Sequence, residues 1–184
     1  MQKRLDVYLS ENNTVKSRSL AASLIKQGSV EVNGRICTKA SFAVDENDNI
    51  RIIGEMPKYV GRGGLKLEKA LSHYRLHLDG SVCIDIGAST GGFTDCMLQN
   101  GAVKVYSVDV GTDQLDEKLR NDPRVVSMEK TDIRNCVGSL PAVDFIGIDV
   151  SFISLKLVLP SAYALLKDGG ECVALIKPQF EAGK

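Results

Sequence analysis

One segment of this chain, residues 82–95, constrains the fold more than any other. Val82–Ile86 is an apolar run that contains a single acid, Asp85, and it leads through a Gly/Ser/Thr-rich stretch into a helical pattern. Such a strand–loop–helix unit lets a ligand approach the backbone closely, because glycine carries no side chain. A second apolar run, residues 103–110, contains Asp109, which is placed to hydrogen-bond a pair of ribose hydroxyls.

The loop departs from the dinucleotide-binding fingerprint. G-x-G-x-x-G would need a glycine where the chain has Ser89, so an NAD-dependent enzyme is disfavoured. The pattern is instead Gly87-x-x-x-Gly91-Gly92, with an acid two residues before the first glycine. It resembles the first motif of the S-adenosylmethionine-dependent methyltransferases, and that resemblance implies a methyl transferase.

Composition excludes several classes of protein. The five cysteines among 184 residues form no C-x-x-C pair, so we expect reduced thiols and neither a metal site nor a redox motif. The N-terminus lacks an apolar signal region, and the apolar runs are shorter than the roughly 18–20 residues of a membrane helix. These features indicate a cytoplasmic protein that does not enter the membrane.

Charge is unevenly spread along the chain, although its net value is zero. Residues 58–77 carry five Lys or Arg against one acid, between a nearly neutral segment and an acidic one. A polyanion-binding cleft would use such a basic segment, and a solvated helix face would have the same composition. Charge alone leaves both interpretations open.

We predict three parts: a small domain over residues 1–57, a basic linker and a helix leading into the sheet over 58–80, and a larger domain over 81–184. The pattern of the first part predicts two helices. The second helix should begin after Ser17, which is its N-cap, and should end at Gly28. A strand then enters an Asn33-Gly34 hairpin turn, and Val44 together with residues 49–52 closes a small sheet.

This order of elements resembles the RNA-binding domain named after the fourth small-subunit ribosomal protein. The matching residues include Arg4-Leu5-Asp6, Ser17-Arg18 and Val30-x-Val32-Asn33-Gly34. The resemblance implies contacts with RNA phosphates, which position a substrate without reading its sequence. Four candidate RNA-binding residues come from this domain, and a fifth, Arg62, comes from the basic segment. The full set is Lys16, Arg18, Lys26, Lys39 and Arg62.

From residue 81 onward, apolar runs alternate with helical stretches, which predicts an α/β, Rossmann-like doubly wound parallel sheet. Gly101 and Gly169 are the expected helix stops, and Pro160 should kink the last helix. The predicted strands are Val82–Ile86, Val103–Val108, Val125–Met128, Phe145–Asp149 and Cys172–Ile176. The predicted helices are Phe93–Asn100, Asp113–Arg120 and Leu155–Lys167.

Polar residues recur at the carboxyl ends of these strands, where such sheets bind ligands. They are Asp85, Asp109, Asp132, Asp149 and Lys177. A methyl donor brings its own electrophile, so the enzyme must align an acceptor and help remove its proton. Lys177 is placed to act on a hydroxyl such as a ribose 2′-OH, and Asp149 could orient it or cap the next helix. Residue type and position alone favour an ordinary surface lysine for Lys66.

Four motifs together resemble the hemolysin-A (TlyA) family of ribosomal RNA 2′-O-methyltransferases, which are related to FtsJ. They are Gly63-Gly64-x-Lys66-Leu67, Asp85-x-Gly87 through Thr94, Asp149 through Leu155, and Lys177-Pro178-Gln179-Phe180-Glu181. The resemblance implies a cytidine ribose in ribosomal RNA or ribosomal subunits as substrate. It also implies S-adenosylmethionine as cofactor and a Lys–Asp–Lys–Glu catalytic tetrad, of which Lys66, Asp149 and Lys177 map here. The implied cofactor-binding residues are Asp85, Gly87, Ser89, Thr90, Gly91, Gly92, Phe93, Asp109 for the ribose and Asp132 for the adenine.

The resemblance also predicts that the methyltransferase sheet is incomplete at its C-terminal end. The family's glutamate and last two strands should follow Lys184, and Glu181 lies too close to Lys177 in sequence to replace that glutamate. A non-catalytic RNA-binding or ribosome-assembly protein is the alternative function. A small-molecule methyltransferase ranks lower because of the RNA-binding module, and a membrane-lytic protein has no apolar segment to support it.

Overall fold

The computed structural model describes residues 2–12, 14–15, 17–54 and 57–182. The chain divides into two compact units, residues 1–56 and 57–184. The elements of the first unit are β1 (Lys3–Arg4), α1 (Leu5–Glu11), α2 (Arg18–Lys26), β2 (Val30–Val32), β3 (Arg35–Ile36), β4 (Ala43–Val44) and β5 (Ile50–Ile52).

The local signals in the first unit correspond to its turns and caps. The Ser17 hydroxyl accepts a hydrogen bond from the backbone N–H of Leu20, and Gly28 adopts a φ of +76° after the end of α2. Asn33 and Gly34 both have positive φ, as a two-residue hairpin turn requires, and they join the antiparallel strands β2 and β3.

One detail of the predicted small sheet is wrong. β5 pairs with β2, but Val44 does not join that sheet. It pairs instead with Lys3 in a separate two-stranded sheet, β1–β4. The physical reason is burial: paired with β1, the side chain of Val44 is fully buried in the same core as Leu5 and Leu24.

The second unit is built on a five-stranded parallel sheet with strand order β10-β9-β6-β7-β8. This confirms the doubly wound sheet that the alternating pattern predicts. Its elements are α3 (Gly63–Tyr74), β6 (Val82–Ile86), α4 (Gly92–Gln99), β7 (Lys104–Val108), α5 (Glu117–Arg120), β8 (Val125–Met128), a 3₁₀ turn (Ile133–Asn135), β9 (Val143–Ile148), α6 (Leu155–Leu165), β10 (Leu166–Ala174) and α7 (Pro178–Glu181).

Helices cover both faces of the sheet. On one face, Phe93 and Met97 of α4 pack with Phe145 of β9, and a Cβ atom at Gly147 would come within 2.8 Å of both helical side chains. On the other face, Val158 of α6 packs in a second cluster of buried apolar residues that includes the alternate strand positions. The central strands β6 and β9 are therefore buried on both sides, as is usual in parallel sheets.

The last helix and strand differ from their predicted bounds. α6 ends at Leu165 and the chain enters β10 at once, so Gly169 lies inside the strand rather than at a helix stop. Leu166 pairs with Val143 of β9, and the register then shifts before Glu171. This long-range pairing overrides the local helical pattern. The kink at Pro160 stays a prediction; α6 continues through that residue.

The strand order reverses between β6 and β9. The chain runs from β6 to β7 and β8 on one side and then returns to β9 on the other side of β6. A crevice forms at the carboxyl ends of strands at such a switch point, which is where open α/β sheets bind ligands. Gly87 follows β6 and Asp149 follows β9, so both residues border it. No helix in the described ranges is long and apolar enough to cross a membrane.

Candidate active site

The loop between β6 and α4 depends on three left-handed backbone positions. Gly87, Ser89 and Gly91 have φ values of +84°, +47° and +94°. A Cβ atom at Gly87 would lie 2.7 Å from the carbonyl oxygen of Asp149, closer than real Cβ contacts allow. The glycine at this position therefore brings the loop against the backbone that carries Asp149.

Asp85 supports this loop from beneath. Its side chain is fully buried, and its Oδ2 accepts hydrogen bonds from the backbone N–H of Thr94 at 2.8 Å and from the Thr94 hydroxyl at 2.7 Å. The Thr94 hydroxyl also lies 2.7 Å from that of Ser107 in β7. Burial raises the pKa of Asp85 to about 7. Asp85 thus ties α4 to the sheet, and it lines neither of the cavities described below.

Asp109 joins the loop to the next strand end. Its Oδ2 accepts a hydrogen bond from the backbone N–H of Ser89 at 2.7 Å, and its Oδ1 accepts one from Gly111 at 2.7 Å. Each carboxylate oxygen can accept more than one hydrogen bond, so both retain capacity for a ligand hydroxyl. The side chain is partly exposed and lines a cavity.

This first cavity has a volume of about 390 Å³ and lies at the switch point. Apolar side chains such as Ile133 and Val150 line it together with the carboxylates of Asp109, Asp132 and Asp149. The hydrogen bond and charge of Arg134 lower the pKa of Asp132, which also accepts a hydrogen bond from the Arg134 backbone N–H. The cavity thus combines apolar side chains with carboxylate acceptors.

A second cavity of about 220 Å³ adjoins the first. The two share Gly87, Ser89, Asp149 and Ser151 in their linings. Lys177 lines only the second cavity, together with Gly63 and residues of the glycine loop that include Thr90, Gly92 and Phe93. Asp149 and Ser151 therefore stand where a ligand in one cavity would meet a ligand in the other.

Three residues far apart in sequence converge at this boundary. Nζ of Lys177 lies 2.7 Å from Oδ1 of Asp149, and Nζ of Lys66 lies 3.3 Å from Oδ2 of the same carboxylate. Asp149 is mostly buried, whereas the Lys66 side chain is 53% exposed. One carboxylate thus holds two amines beside the second cavity, an arrangement that stabilises negative charge on a nearby oxygen.

The glycines before Lys66 lie in a closely packed part of the second unit. Gly63 and Gly64 are the first residues of α3, and Gly64 is buried. A Cβ atom at Gly92, the first residue of α4, would lie 2.9 Å from the backbone nitrogen of Gly64 and 3.0 Å from the carbonyl oxygen of Gly61. This contact between the starts of α3 and α4 places Lys66 at the site.

Sequence reasoning assigned no role to two residues that the structure connects to the site. The Ser151 hydroxyl accepts a hydrogen bond from Nζ of Lys177 at 2.8 Å. Glu181 accepts hydrogen bonds at the start of α6, so its carboxylate does not join Lys66 and Asp149 as a fourth member. Both residues lie in motifs described above, but their hydrogen-bond partners are visible only in the three-dimensional structure. In the described ranges, no group of three potential metal ligands is present.

The candidate RNA-binding residues within the described ranges are on the surface of their respective units. Lys26 and Lys39 are exposed in the first unit, and Arg62 is exposed in the second. Arg18 is also in the first unit, where its Nε lies 3.0 Å from Oδ2 of the buried Asp6 and its side chain stays 59% exposed. Lys16 lies outside the described residues.

Comparisons with known proteins identify both units. The FtsJ-like methyltransferase family matches residues 59–184, and the S4 domain matches residues 3–50. The Bacillus subtilis protein YqxC is 47% identical over 100% of this chain and 66% of its own length. A Mycobacterium tuberculosis protein, the 16S/23S rRNA (cytidine-2′-O)-methyltransferase TlyA, is 40% identical over 98% of this chain and 69% of its own.

A solved structure from Streptococcus thermophilus, of a protein named as a hemolysin, is similar over the whole chain. It has a TM-score of 0.73 and 47% identity, and the match covers 68% of that protein. This chain thus spans about two thirds of the length of these three relatives. On the matches of both domains and the extent of identity, the chain belongs to the FtsJ-like methyltransferase family and carries an S4 domain ahead of the methyltransferase domain.

Proposed function

We propose that this protein transfers a methyl group from S-adenosylmethionine to the 2′-hydroxyl of a cytidine ribose in ribosomal RNA. One observation carries the proposal. Lys66 and Lys177 both contact Asp149, which stands at the boundary of two adjoining cavities, at the switch point of the sheet. The TlyA relative, whose name assigns it this reaction, supports the choice of substrate.

The first cavity fits the cofactor. When bound, S-adenosylmethionine supplies a methyl group activated by a positively charged sulfur. The side chains of Asp109 and Asp132 suit the ribose hydroxyls and the adenine amino group, because ionised carboxylates only accept hydrogen bonds. The carboxylates of the lining also favour a cation. Gly87 lets the loop backbone come close enough to hold the amino acid end of the cofactor. Asp85 stabilises this loop from within the sheet. The other cofactor-binding residues of the loop are Ser89, Thr90, Gly91, Gly92 and Phe93.

Lys177 acts on the acceptor hydroxyl in this proposal. Its ammonium group has three N–H donors; it donates to the Ser151 hydroxyl and forms an ion pair with Asp149, and donor capacity remains for the ribose. The pKa of a ribose hydroxyl lies far above neutrality, and a positive charge beside the oxygen lowers it. Asp149 orients both amines, and Lys66 adds a second positive charge. As the 2′-oxygen takes the methyl group its proton passes to water and S-adenosylhomocysteine is the leaving group, and the two amines favour the attack by positioning and by charge together.

The first unit and the basic segment would hold the RNA. We assign this role to residues 1–57, to Arg18, Lys26 and Lys39 within them, to Lys16 from the domain resemblance, and to Arg62 in the segment 58–80. These cations would contact phosphates and fix the register of the substrate, while residues 81–184 perform the chemistry. A ribosomal RNA substrate implies that the protein works in the cytoplasm.

The test measures transfer of labelled methyl groups from S-adenosylmethionine to unmodified ribosomal subunits. The chain should label RNA, and nuclease digestion should locate the label on a cytidine 2′-oxygen. Lys66→Ala should remove most of the transfer. Lys69→Ala is the matched control, since it removes another exposed cation of the same basic segment, one turn further along the same helix, and of the two lysines only Lys66 contacts Asp149.

The alternative function is a non-catalytic RNA-binding or ribosome-assembly protein. This alternative predicts that the chain binds ribosomal RNA and transfers no methyl group at any concentration of S-adenosylmethionine. Equal activity of Lys66→Ala and Lys69→Ala would also reject the role assigned to the three converging residues.

A further inference from the structure

Two neighbouring chain segments build the catalytic boundary. One follows β9 and carries Asp149 and Ser151, and the other follows β10 and carries Lys177. The backbone ladder between these segments ends early, with a hydrogen bond of 2.9 Å from the N–H of Leu175 to the carbonyl of Ile148. Lys177 lies two residues beyond this last bond, so the sheet does not itself hold the lysine.

Beyond the end of this ladder, the side chain of Glu181 connects the two segments. Oε2 of Glu181 accepts a hydrogen bond from the Ser154 hydroxyl at 2.7 Å, and Oε1 accepts one from the backbone N–H of Leu155 at 2.8 Å. Ser154 is the N-cap of α6 and Leu155 its first residue. These bonds lower the pKa of Glu181, so the carboxylate is ionised near neutral pH. A negative charge at the start of a helix is stabilised by the helix dipole and by its free N–H groups.

A short helical turn connects this anchor to the lysine. α7 spans Pro178–Glu181, with proline at its first position. The N–H of Phe180 donates to the carbonyl of Lys177 at 2.9 Å, which closes the turn directly on the lysine backbone. The ring centroids of Phe180 and Phe152 lie 5.2 Å apart, and this contact also links the two segments. Displacement of Glu181 would therefore displace Lys177.

We propose that Glu181 is a positioning residue, which fastens the segment after β10 to the start of α6 and so fixes Nζ of Lys177 at Asp149 and Ser151. This inference rests on the proposed function, because it assigns the role of Lys177 in that reaction. A free lysine side chain samples many rotamers, and its misplacement by about 1 Å can lower a rate by about 10²-fold.

The experiment compares Glu181→Ala with Glu181→Gln and with Glu171→Ala, an exposed carboxylate of β10 outside both cavities. In Glu181→Ala, we expect the methyl-transfer rate at saturating cofactor to fall at least about tenfold, with the KM for S-adenosylmethionine within about threefold of wild type. Glu181→Gln keeps an acceptor for the N–H of Leu155 and should restore part of the rate. Glu171→Ala should match wild type.

A second readout does not depend on catalysis. Acylation of lysines by a small amine-reactive reagent, followed by mass spectrometry, reports how accessible and how free of partners each Nζ is. Glu181→Ala should speed acylation of Lys177 severalfold and leave the exposed Lys104, at the start of β7, unchanged. Unchanged acylation of Lys177 would overturn the inference, as would an equal loss of rate in the Gln and Ala variants. An inactive wild type would reject the proposed function, while the acylation comparison would still decide the role of Glu181.

Discussion

A Cβ atom placed on Gly87 would lie 2.7 Å from the carbonyl oxygen of Asp149. The loop that would cradle the cofactor and the residue that orients two lysines are thus in direct backbone contact. The backbone N–H of Asp149 also donates to the carbonyl of Ile86 at 3.0 Å, so the contact is part of the sheet itself. Changes at Gly87 should therefore affect both cavities.

Gly87→Ala should destabilise the chain and weaken cofactor binding. Gly138→Ala is the control, because Gly138 has nearly the same φ, +86°, and nothing within 4 Å of its added Cβ. Both variants carry a left-handed alanine, at a cost of about 1–2 kcal/mol. Only Gly87→Ala adds the clash with Asp149. Denaturant unfolding and calorimetric titration with S-adenosylmethionine measure the difference, and equal behaviour of the two variants would contradict the packing argument.

Asp85 should make stability depend on pH. In the folded chain its pKa is about 7, whereas in the unfolded chain the carboxyl ionises near 3.8. Between these values the folded state binds more protons, so the free energy of unfolding falls as pH rises, by at most about 1.4 kcal/mol per pH unit. Asp85→Asn stays neutral and should flatten the dependence. Urea unfolding from pH 4.5 to 7.5 checks this; identical slopes in the two proteins would show that Asp85 ionises normally.

Lys177→Ala should abolish methyl transfer while the affinity for S-adenosylmethionine stays within a few-fold of wild type. The reason is location: Lys177 lines the second cavity and not the first. Lys156→Ala, an exposed lysine at the start of α6, is the control. Binding is measured by titration and transfer by labelled methyl incorporation into ribosomal subunits. Unchanged transfer in Lys177→Ala would remove this lysine from the mechanism.

Asp109→Ala should weaken cofactor binding by roughly 1–3 kcal/mol, because the hydrogen bonds to the ribose hydroxyls are lost. The same change releases the backbone N–H groups of Ser89 and Gly111, which lose their acceptor. Asp109→Asn keeps one acceptor oxygen and should bind with intermediate affinity. Titration with S-adenosylhomocysteine orders the three proteins, and wild-type affinity in Asp109→Ala would refute the assignment.

Local pattern predicted much of the second unit because strand and helix periods are local properties. β6 and β8 have the predicted bounds, Val82–Ile86 and Val125–Met128. β10 does not, since its start depends on pairing with β9, a partner more than twenty residues away. Val44 in the first unit differs for the same reason: its partner, Lys3, is forty-one positions earlier in the chain.

The sequence by itself determined which residues could do chemistry: an acid-bearing strand, a glycine loop, and polar side chains at successive strand ends. Tertiary structure decided how they are used. Asp85, at one of those strand ends, is fully buried and supports the loop, whereas Asp109 and Asp132 face a cavity. Lys66 is an ordinary surface lysine by pattern, and only the packing of α3 against α4 brings it to Asp149, 83 residues away. Burial and contact between distant segments set these roles, and neither property is written in the local order of residues.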